Sequence, residues 1–346
     1  MLASKSYVPM LRAKAAEVAA YRLLSDGAKN LIFPIFQLRP WQNANRLQLT
    51  VDRLQEAVAG RPFGLGIDET KRGAVSDKQA QQEFDQLFEP RNGFRRYYDF
   101  LANIDDAVPI LMATGSSDNL LLQIGNAESL DRGLIVHQRR GSLIPISDSI
   151  IALPPLPNDT LFVVDAGWSR DVLGAEAWAT PVIERVHSAL PDAELVAMSS
   201  SFPDSFSHIV GENEEVAHET HFFASIRQRF NRADLTLGDW GSTRPAQSGG
   251  GGVIPPRIDV PRPASWHIFR AGGGETYSDV ANTATTHACF SAVPDCWGKR
   301  FIEATDGAGN GVTGTQKSTQ ARINIHLTIQ SGTTQTITTD EQPYTD

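Results

Sequence analysis

The feature that most limits what this chain can fold into is a recurrence. Short apolar runs bounded by turn residues return along most of its length, and helical spacing follows most of them. The runs are Tyr7–Leu11, Leu31–Leu38, Phe63–Asp68, Val108–Ala113, Leu134–Arg139, Leu161–Asp165, Leu195–Ser199 and Leu235–Trp240. Helical stretches are expected over Ala15–Leu24, Leu47–Val58, Lys78–Leu101 (broken at Pro90–Gly93), Asn119–Leu130, Ala175–Leu190 and Glu214–Phe230. In the second of these, Leu47, Val51, Leu54 and Val58 lie on one helical face. Strands that read as continuous Val/Ile/Leu runs are buried on both faces, as a parallel sheet covered by helices requires. An open doubly wound sheet would place a glycine-rich turn after its first strand, and none follows Leu11. The expected fold is therefore α/β, a TIM-like (β/α)8 barrel with an elaborated C-terminal segment.

Beyond the eighth strand the pattern changes. Residues 246–264 hold four consecutive glycines, Gly249 to Gly252, and then Pro255, Pro256, Pro261 and Pro263, which reads as a flexible loop that pairs poorly. A short strand at Trp266–Arg270, a helix over Thr276–His287 and a half-buried strand over Ala321–Ile329 are expected after it. The last of these rests on the alternation of Ile323, Ile325, Leu327 and Ile329. We expect one barrel domain, with its core in residues 1–245, the loop in 246–264, an elaboration in 265–330 and a frayed tail in 331–346.

The chain has 346 residues, 41% hydrophobic and 21% charged, enough for a large core. Its 31 Lys+Arg against 40 Asp+Glu give a net charge of -9, which argues against general nucleic-acid or anionic-membrane binding. The two cysteines, Cys289 and Cys296, fit neither a zinc nor a redox spacing and read as ordinary thiols. No apolar leader opens the chain, and no run approaches the ~20 apolar residues of a membrane span. A cytoplasmic protein without membrane contact is expected.

In a parallel barrel the working face is the ring of strand C-termini, so polar residues there carry the candidate chemistry. Arg12, Lys14, Arg39, Arg270 and Trp240 are the candidate ligand-binding residues, with cations suited to a small phosphorylated ligand. Asp68, Glu69, Asp165 and Asp239 are the candidate catalytic acids, with His137 as a candidate general base. Three acids converging on a rim can hold a hard divalent cation that activates water against a phosphodiester or amide. The same acids can pair with Arg12, Arg39 and Arg270, or cap helices. No ligand spacing enforces a metal, so none is assigned, and the residues name no cofactor.

Other motifs read as structural. Glu215, His218 and His221 share one face of the expected helix, but the order of zinc-protease helices is missing, and a solvated polar face is the reading preferred. Ser199-Ser200-Ser201 lacks the Gly-x-Ser-x-Gly of a nucleophile elbow. Gly272-Gly273-Gly274 lacks the Lys-Ser/Thr of a phosphate loop and reads as a turn. Arg95-Arg96 and Arg139-Arg140 suit phosphate or a solvated surface.

The opening Tyr7-Val8-Pro9-Met10-Leu11-Arg12, with Lys14 and Glu17, and then Pro34-Ile35-Phe36-Gln37, resembles the bacterial and phage-borne beta protein family. Val164-Asp165, Ser201-Phe202-Pro203, Gly238-Asp239-Trp240, Cys296-Trp297-Gly298 and Arg322-Ile323-Asn324-Ile325-His326-Leu327 follow in that family's order. Gln37 stands where the family pattern has an acid, so a role needing a carboxylate on the second strand does not transfer. The resemblance implies a barrel-like fold and an association with phages, mobile elements and their conflict with hosts. It implies no activity, substrate or cofactor.

Three functions are consistent with these readings. The first is an accessory protein of a phage or mobile element that binds a phage or host protein, or a small phosphorylated ligand, at the barrel mouth. The second is a metal-assisted hydrolase using the rim carboxylates. The third is a partner-binding protein without a pocket, in which the loop at 246–264 orders on association. The sequence leaves open whether the protein is an enzyme.

Overall fold

The computed structural model describes residues 5–142, 146–151, 156–230, 235–243 and 254–332. The strands in chain order are β1 (Tyr7–Arg12), β2 (Ile35–Leu38), β3 (Phe63–Ile67), β4 (Ala107–Pro109), β5 (Leu134–Arg139), β6 (Thr160–Trp168), β7 (Glu194–Ser200), β8 (Gly211–Val216), β9 (Thr236–Asp239), β10 (Arg257–Pro261) and β11 (Ser265–Arg270). All but β8 and β10 fall on runs expected to be strands.

Eight of them form one parallel sheet in the order β4-β3-β2-β1-β9-β7-β6-β5. A parallel bridge between Ile110 and Ile135, just past β4, joins the two ends of this sheet, with the Leu111 N–H donating to the Ile135 carbonyl at 2.9 Å. The sheet is thus nearly closed into a barrel flanked by helices, as expected.

Strand periodicity explains the interior. Successive side chains point to opposite faces, so one set of alternate residues fills the barrel and the other packs under the helices. Val8, Met10, Ile35, Val108, Ile110, Ile135, Leu161, Val163, Val196 and Met198 form one buried cluster, the barrel interior. Tyr7, Leu11, Phe36, Leu65, Leu134, Val136, Phe162, Val164, Leu195 and Ala197, their sequence neighbours, belong to the larger cluster beneath the helices. Glycines complete the inner set where the space is smallest. A Cβ on Gly64 would stand 2.6 Å from Ile135 Cδ1, and one on Gly238 would stand 2.7 Å from Val196 Cγ1.

The C-terminal part departs from expectation in three places. The run Ala321–Ile329 is helical, inside a helix over Thr315–Ser331. Its neighbours on two sides explain the misleading alternation. Ile323 and Leu327 pack with the barrel's helices, while Ala321 and Ile325 pack in a separate apolar cluster with Ile258, Val260, Phe269 and Phe290. A helix buried on more than one face loses its amphipathic period. Asn324 fastens it to both, accepting the Gly298 N–H at 2.8 Å and donating to the Ala20 carbonyl at 2.9 Å.

The second departure is Glu214–Phe230. Residues Gly211–Val216 are β8, and the helix begins only at His218. The third lies in the glycine–proline segment. Residues 246–253 lie outside the described residues, but Arg257–Pro261 is paired as β10. Strands β10, β11 and β8 form a second, antiparallel sheet. The tail beyond residue 332 also lies outside the described residues.

Candidate functional site

The inward alternation that fills the barrel continues into its polar end. Two residues beyond Met10 comes Arg12. Two beyond Ile35 comes Gln37, and two beyond Gly66 comes Asp68. His137 and Arg139 follow Ile135, Asp165 follows Val163, and Trp240 follows Gly238. A cavity of about 260 Å³ opens there, lined by Arg12, Gln37, Asp68, Glu69, Thr70, His137, Arg139 and Trp240 above a floor that includes Gly66 and Ile110.

Asp165 organises one wall from behind. Its carboxylate is fully buried and accepts the Gly167 N–H on Oδ1 at 2.8 Å. Its Oδ2 accepts the Trp240 indole N–H at 3.2 Å and lies 3.2 Å from His137 Nε2 and 3.9 Å from Arg139 Nε. A buried carboxylate with these partners fixes the imidazole and indole orientations rather than meeting a ligand itself. Trp240 is only 7% exposed, and the guanidinium carbons of Arg12 and Arg139 lie over its ring, 5.5 and 5.2 Å from the centroid. Each such contact is worth ~0.5–2 kcal/mol and lets a cation sit in a partly dry place.

The opposite wall is charged. Asp68 Oδ1 accepts the Thr70 N–H at 3.2 Å and its hydroxyl at 2.6 Å, while Oδ2 meets Arg39 at 3.3 Å. Arg39 and Lys14 line a neighbouring cavity of about 460 Å³ with Trp41, Gln42 and Gln316. Burial pulls the Lys14 ammonium below its usual range, and the nearby Arg39 and Arg12 charges add to that against the pull of Glu17. Burial does the same to Arg39, with Asp68 and Glu17 opposing and Arg12 adding. Glu17 is buried and accepts the Arg12 backbone N–H at 2.5 Å. The linings of the two cavities together carry four cations, Arg12, Lys14, Arg39 and Arg139, and two carboxylates, Asp68 and Glu69.

Two candidates fall elsewhere, each for a structural reason. Asp239 is one residue out of step with Gly238 and Trp240, so it points out of the barrel. It accepts the Tyr7 hydroxyl and the Gly241 N–H (2.6 Å) on Oδ1, and its Oδ2 lies 2.8 Å from His326 Nε2. Arg270 is on β11, opposite Gly211, and donates to the Ile209 carbonyl at 2.6 Å. It does not line the mouth. Asp68, Asp165 and Asp239 therefore do not converge as a three-acid rim, since only Asp68, with the exposed Glu69, borders the cavity.

The remaining motifs take structural places. Glu215 is on β8, 3.0 Å from His208 and 3.3 Å from Arg170, apart from the helix that carries His218 and His221. Ser201 accepts the His218 N–H at 2.8 Å, at the start of that helix, and donates to Glu219. Gly272 donates its N–H to Glu275 at 2.6 Å, closing a turn. Arg95 pairs with Asp99 and Arg96 with Glu89 at the surface.

Sequence reasoning missed a buried polar group behind β1. Tyr7, Asp239, His326, Glu219 and Ser201 come from distant segments and carry no common spacing. Burial, then the Asp239 charge, lifts the Glu219 carboxyl to about 7 and raises the Tyr7 hydroxyl well above its usual value. Alternation along β9 was the one available signal, because it sends Asp239 outward.

Among the described residues no helix is long and apolar enough to cross a membrane. The family model described as Beta protein matches residues 7–332. Protein beta of Enterobacteria phage P4 is 26% identical over 335 residues, covering 94% of this chain and 92% of its relative. The match takes in every strand of the barrel and both strands that follow it. The chain belongs to the Beta protein family, which has a phage-encoded member.

Proposed function

We propose that this phage-associated accessory protein binds a small phosphorylated ligand at the barrel mouth, in the setting of conflict between phage and host. The observation that carries the reading is the placement of Arg12 and Arg139 over Trp240 at the lining of one cavity. Guanidinium groups recognise phosphate oxygens through paired N–H donors, and they do so more strongly where water is partly excluded. The cavity, about 260 Å³, is below the ~300–1,000 Å³ of sites for drug-sized molecules, which favours a compact anion. The phage-encoded relative supports the biological setting.

Trp240 makes the test direct. Titration with inorganic pyrophosphate is expected to change tryptophan emission in the native chain, and Arg12→Ala with Arg139→Ala is expected to weaken binding at least tenfold. The folded double variant is also expected to lose its effect on phage plating. Unchanged affinity and plating in a double variant with native circular dichroism would overturn the reading.

The His137–Asp165 pair favours a second reading, hydrolysis of a phosphate ester bound in the same cavity. A carboxylate that orients an imidazole at a ligand cavity is the usual arrangement for a general base. His137→Gln is then expected to abolish turnover of a phosphodiester probe while leaving pyrophosphate affinity within about twofold. No turnover by the wild-type chain would leave binding as the function.

A further inference from the structure

We propose that His267, His287 and Cys289 form a site for a divalent transition-metal ion of the zinc class, on the antiparallel sheet and separate from the residues that line the barrel mouth. Each residue offers one donor atom, and the three donor atoms all lie within 4.8 Å of one another. Among the described residues this is the one grouping of histidine, cysteine and carboxylate side chains with that geometry.

The local structure explains how the three meet. His267 is on β11, directly opposite Glu214 of β8, and Glu212 lies two residues along the same strand. His287 is the N-cap of the short helix Ala288–Ser291, whose second residue is Cys289. The two imidazole centroids are 5.4 Å apart. No local spacing in the sequence reveals the set, because the ligands come from a strand and from a helix start twenty residues later.

Each imidazole has a carboxylate beside its Nε2. His267 Nε2 lies 3.2 Å from Glu214 Oε1, and His287 Nε2 lies 3.1 Å from Glu212 Oε1. The tautomer with its proton on Nε2, facing the carboxylate, has its lone pair on Nδ1. His287 Nδ1 accepts the Cys289 backbone N–H at 3.2 Å as the cap of the short helix, a hydrogen bond that a metal on this nitrogen would replace. His267 Nδ1 is buried and has no hydrogen-bond partner, the nearest carboxylate oxygen being Glu212 Oε1 at 3.7 Å. A carboxylate behind each imidazole is the support that metal-ligating histidines use, and the orphan Nδ1 is a buried acceptor in need of a partner.

The donor set selects the metal class. Two imidazoles and a thiolate favour zinc, cobalt or copper(I) over magnesium or calcium. Zn–N of ~2.0–2.1 Å and Zn–S of ~2.3 Å require the donors to draw closer by about 1 Å, within reach of side-chain rotation. The three residues border an open cavity of about 510 Å³, which leaves room for water as a fourth ligand. Arg262, at the same cavity, is engaged by the Cys289 carbonyl at 2.6 Å. The ion would tie β11 to the helix start beside it.

The test is a titration of the reduced, full-length protein with Co2+. One equivalent is expected to bring up a thiolate-to-cobalt charge-transfer band and the visible bands of four-coordinate cobalt, both removed by Zn2+. Cys289→Ser is expected to abolish the charge-transfer band, Cys296→Ser to leave it intact, and His267→Ala or His287→Ala to weaken binding at least tenfold. In the wild-type chain, Zn2+ is expected to slow alkylation of Cys289 and leave Cys296 unaffected, a readout that needs no variant to fold. Absence of the band, a band that follows Cys296, or alkylation of Cys289 unchanged by Zn2+ would overturn the proposal.

Discussion

The indole N–H of Trp240 donates to the fully buried Asp165 carboxylate at 3.2 Å, joining two strand ends that lie 75 residues apart in the chain. The same oxygen faces His137, so one carboxylate sets two of the residues at the mouth. Trp240→Phe keeps a ring beneath Arg12 and Arg139 but removes the donor, at an expected cost of ~1–2 kcal/mol. Asp165→Ala removes the buried charge from both partners, and the expected cost is larger, ~3 kcal/mol. Urea unfolding with an unchanged slope and a lowered midpoint checks both, and equal midpoints for the two variants would show that Asp165 does not organise this wall.

Glu219 makes the fold sensitive to pH near neutrality. Its carboxyl is fully buried beside Asp239 and lifted from 4.5 to about 7, so between these values the folded chain holds a proton that the unfolded chain has released. Its contribution is fully present below pH 4.5 and is lost as pH rises through about 7, an effect of about 3 kcal/mol. Glu219→Gln stays neutral and can still accept from Ser201. The difference in unfolding free energy between wild type and this variant is expected to change steadily from pH 5 to 7, leaving the variant the more stable at pH 8. A difference independent of pH would refute the linkage.

Much of the barrel was legible because strands buried on both faces must be apolar throughout, and Leu134–Arg139 emerges with the bounds that its sequence suggests. Arg12, Asp68 and His137 could be picked out as polar residues at strand ends, and they line one cavity because each also falls on the inward-facing alternation. Asp239 was misread because a strand end says nothing of which face a side chain takes, and a shift of one residue reverses it. The strand β8 was illegible. Its sequence, Gly-Glu-Asn-Glu-Glu-Val, is polar on both faces and lies at the edge of the second sheet, where no alternation marks it. The helix Thr315–Ser331 failed as a reading because two apolar clusters surround it, and a helix packed on several faces has no polar stripe to reveal its period.

Gly238 tests the packing of the barrel interior. An added Cβ would stand 2.7 Å from Val196 Cγ1, 2.8 Å from Met198 Cε and 3.0 Å from the Val8 carbonyl oxygen. The side chains can shift but the backbone oxygen of the neighbouring strand cannot move without disturbing the sheet. Gly238→Ala is expected to destabilise by ~1–3 kcal/mol, against the small gain in chain entropy that alanine normally brings. Thermal unfolding checks it, and a variant as stable as the wild type would mean that the barrel interior accommodates the methyl group.

The C-terminal helix is held to β10 by a buried ion cluster whose members are expected to matter unequally. Asp259 is fully buried, with Arg257 at 2.7 Å and Arg322 at 2.6 Å, and each guanidinium also lies over an aromatic ring, Arg257 on Phe206 at 3.4 Å and Arg322 on Phe202 at 4.2 Å. Burial alone would raise the Asp259 carboxyl, but the two guanidiniums outweigh it and hold it below its usual value. Its contribution is therefore present above the unfolded value and lost as pH falls through the folded one. Asp259→Ala removes the carboxylate shared by two cations, one of them only 5% exposed, and is expected to cost ~3–5 kcal/mol. Replacing all three together, Asp259→Leu with Arg257→Met and Arg322→Met, removes every charge at once and is expected to recover most of that loss, because the charges need not be desolvated on folding. Urea midpoints of the single and triple variants decide it. A triple variant no more stable than Asp259→Ala would mean that the ion pairs contribute net stability beyond neutralising one another.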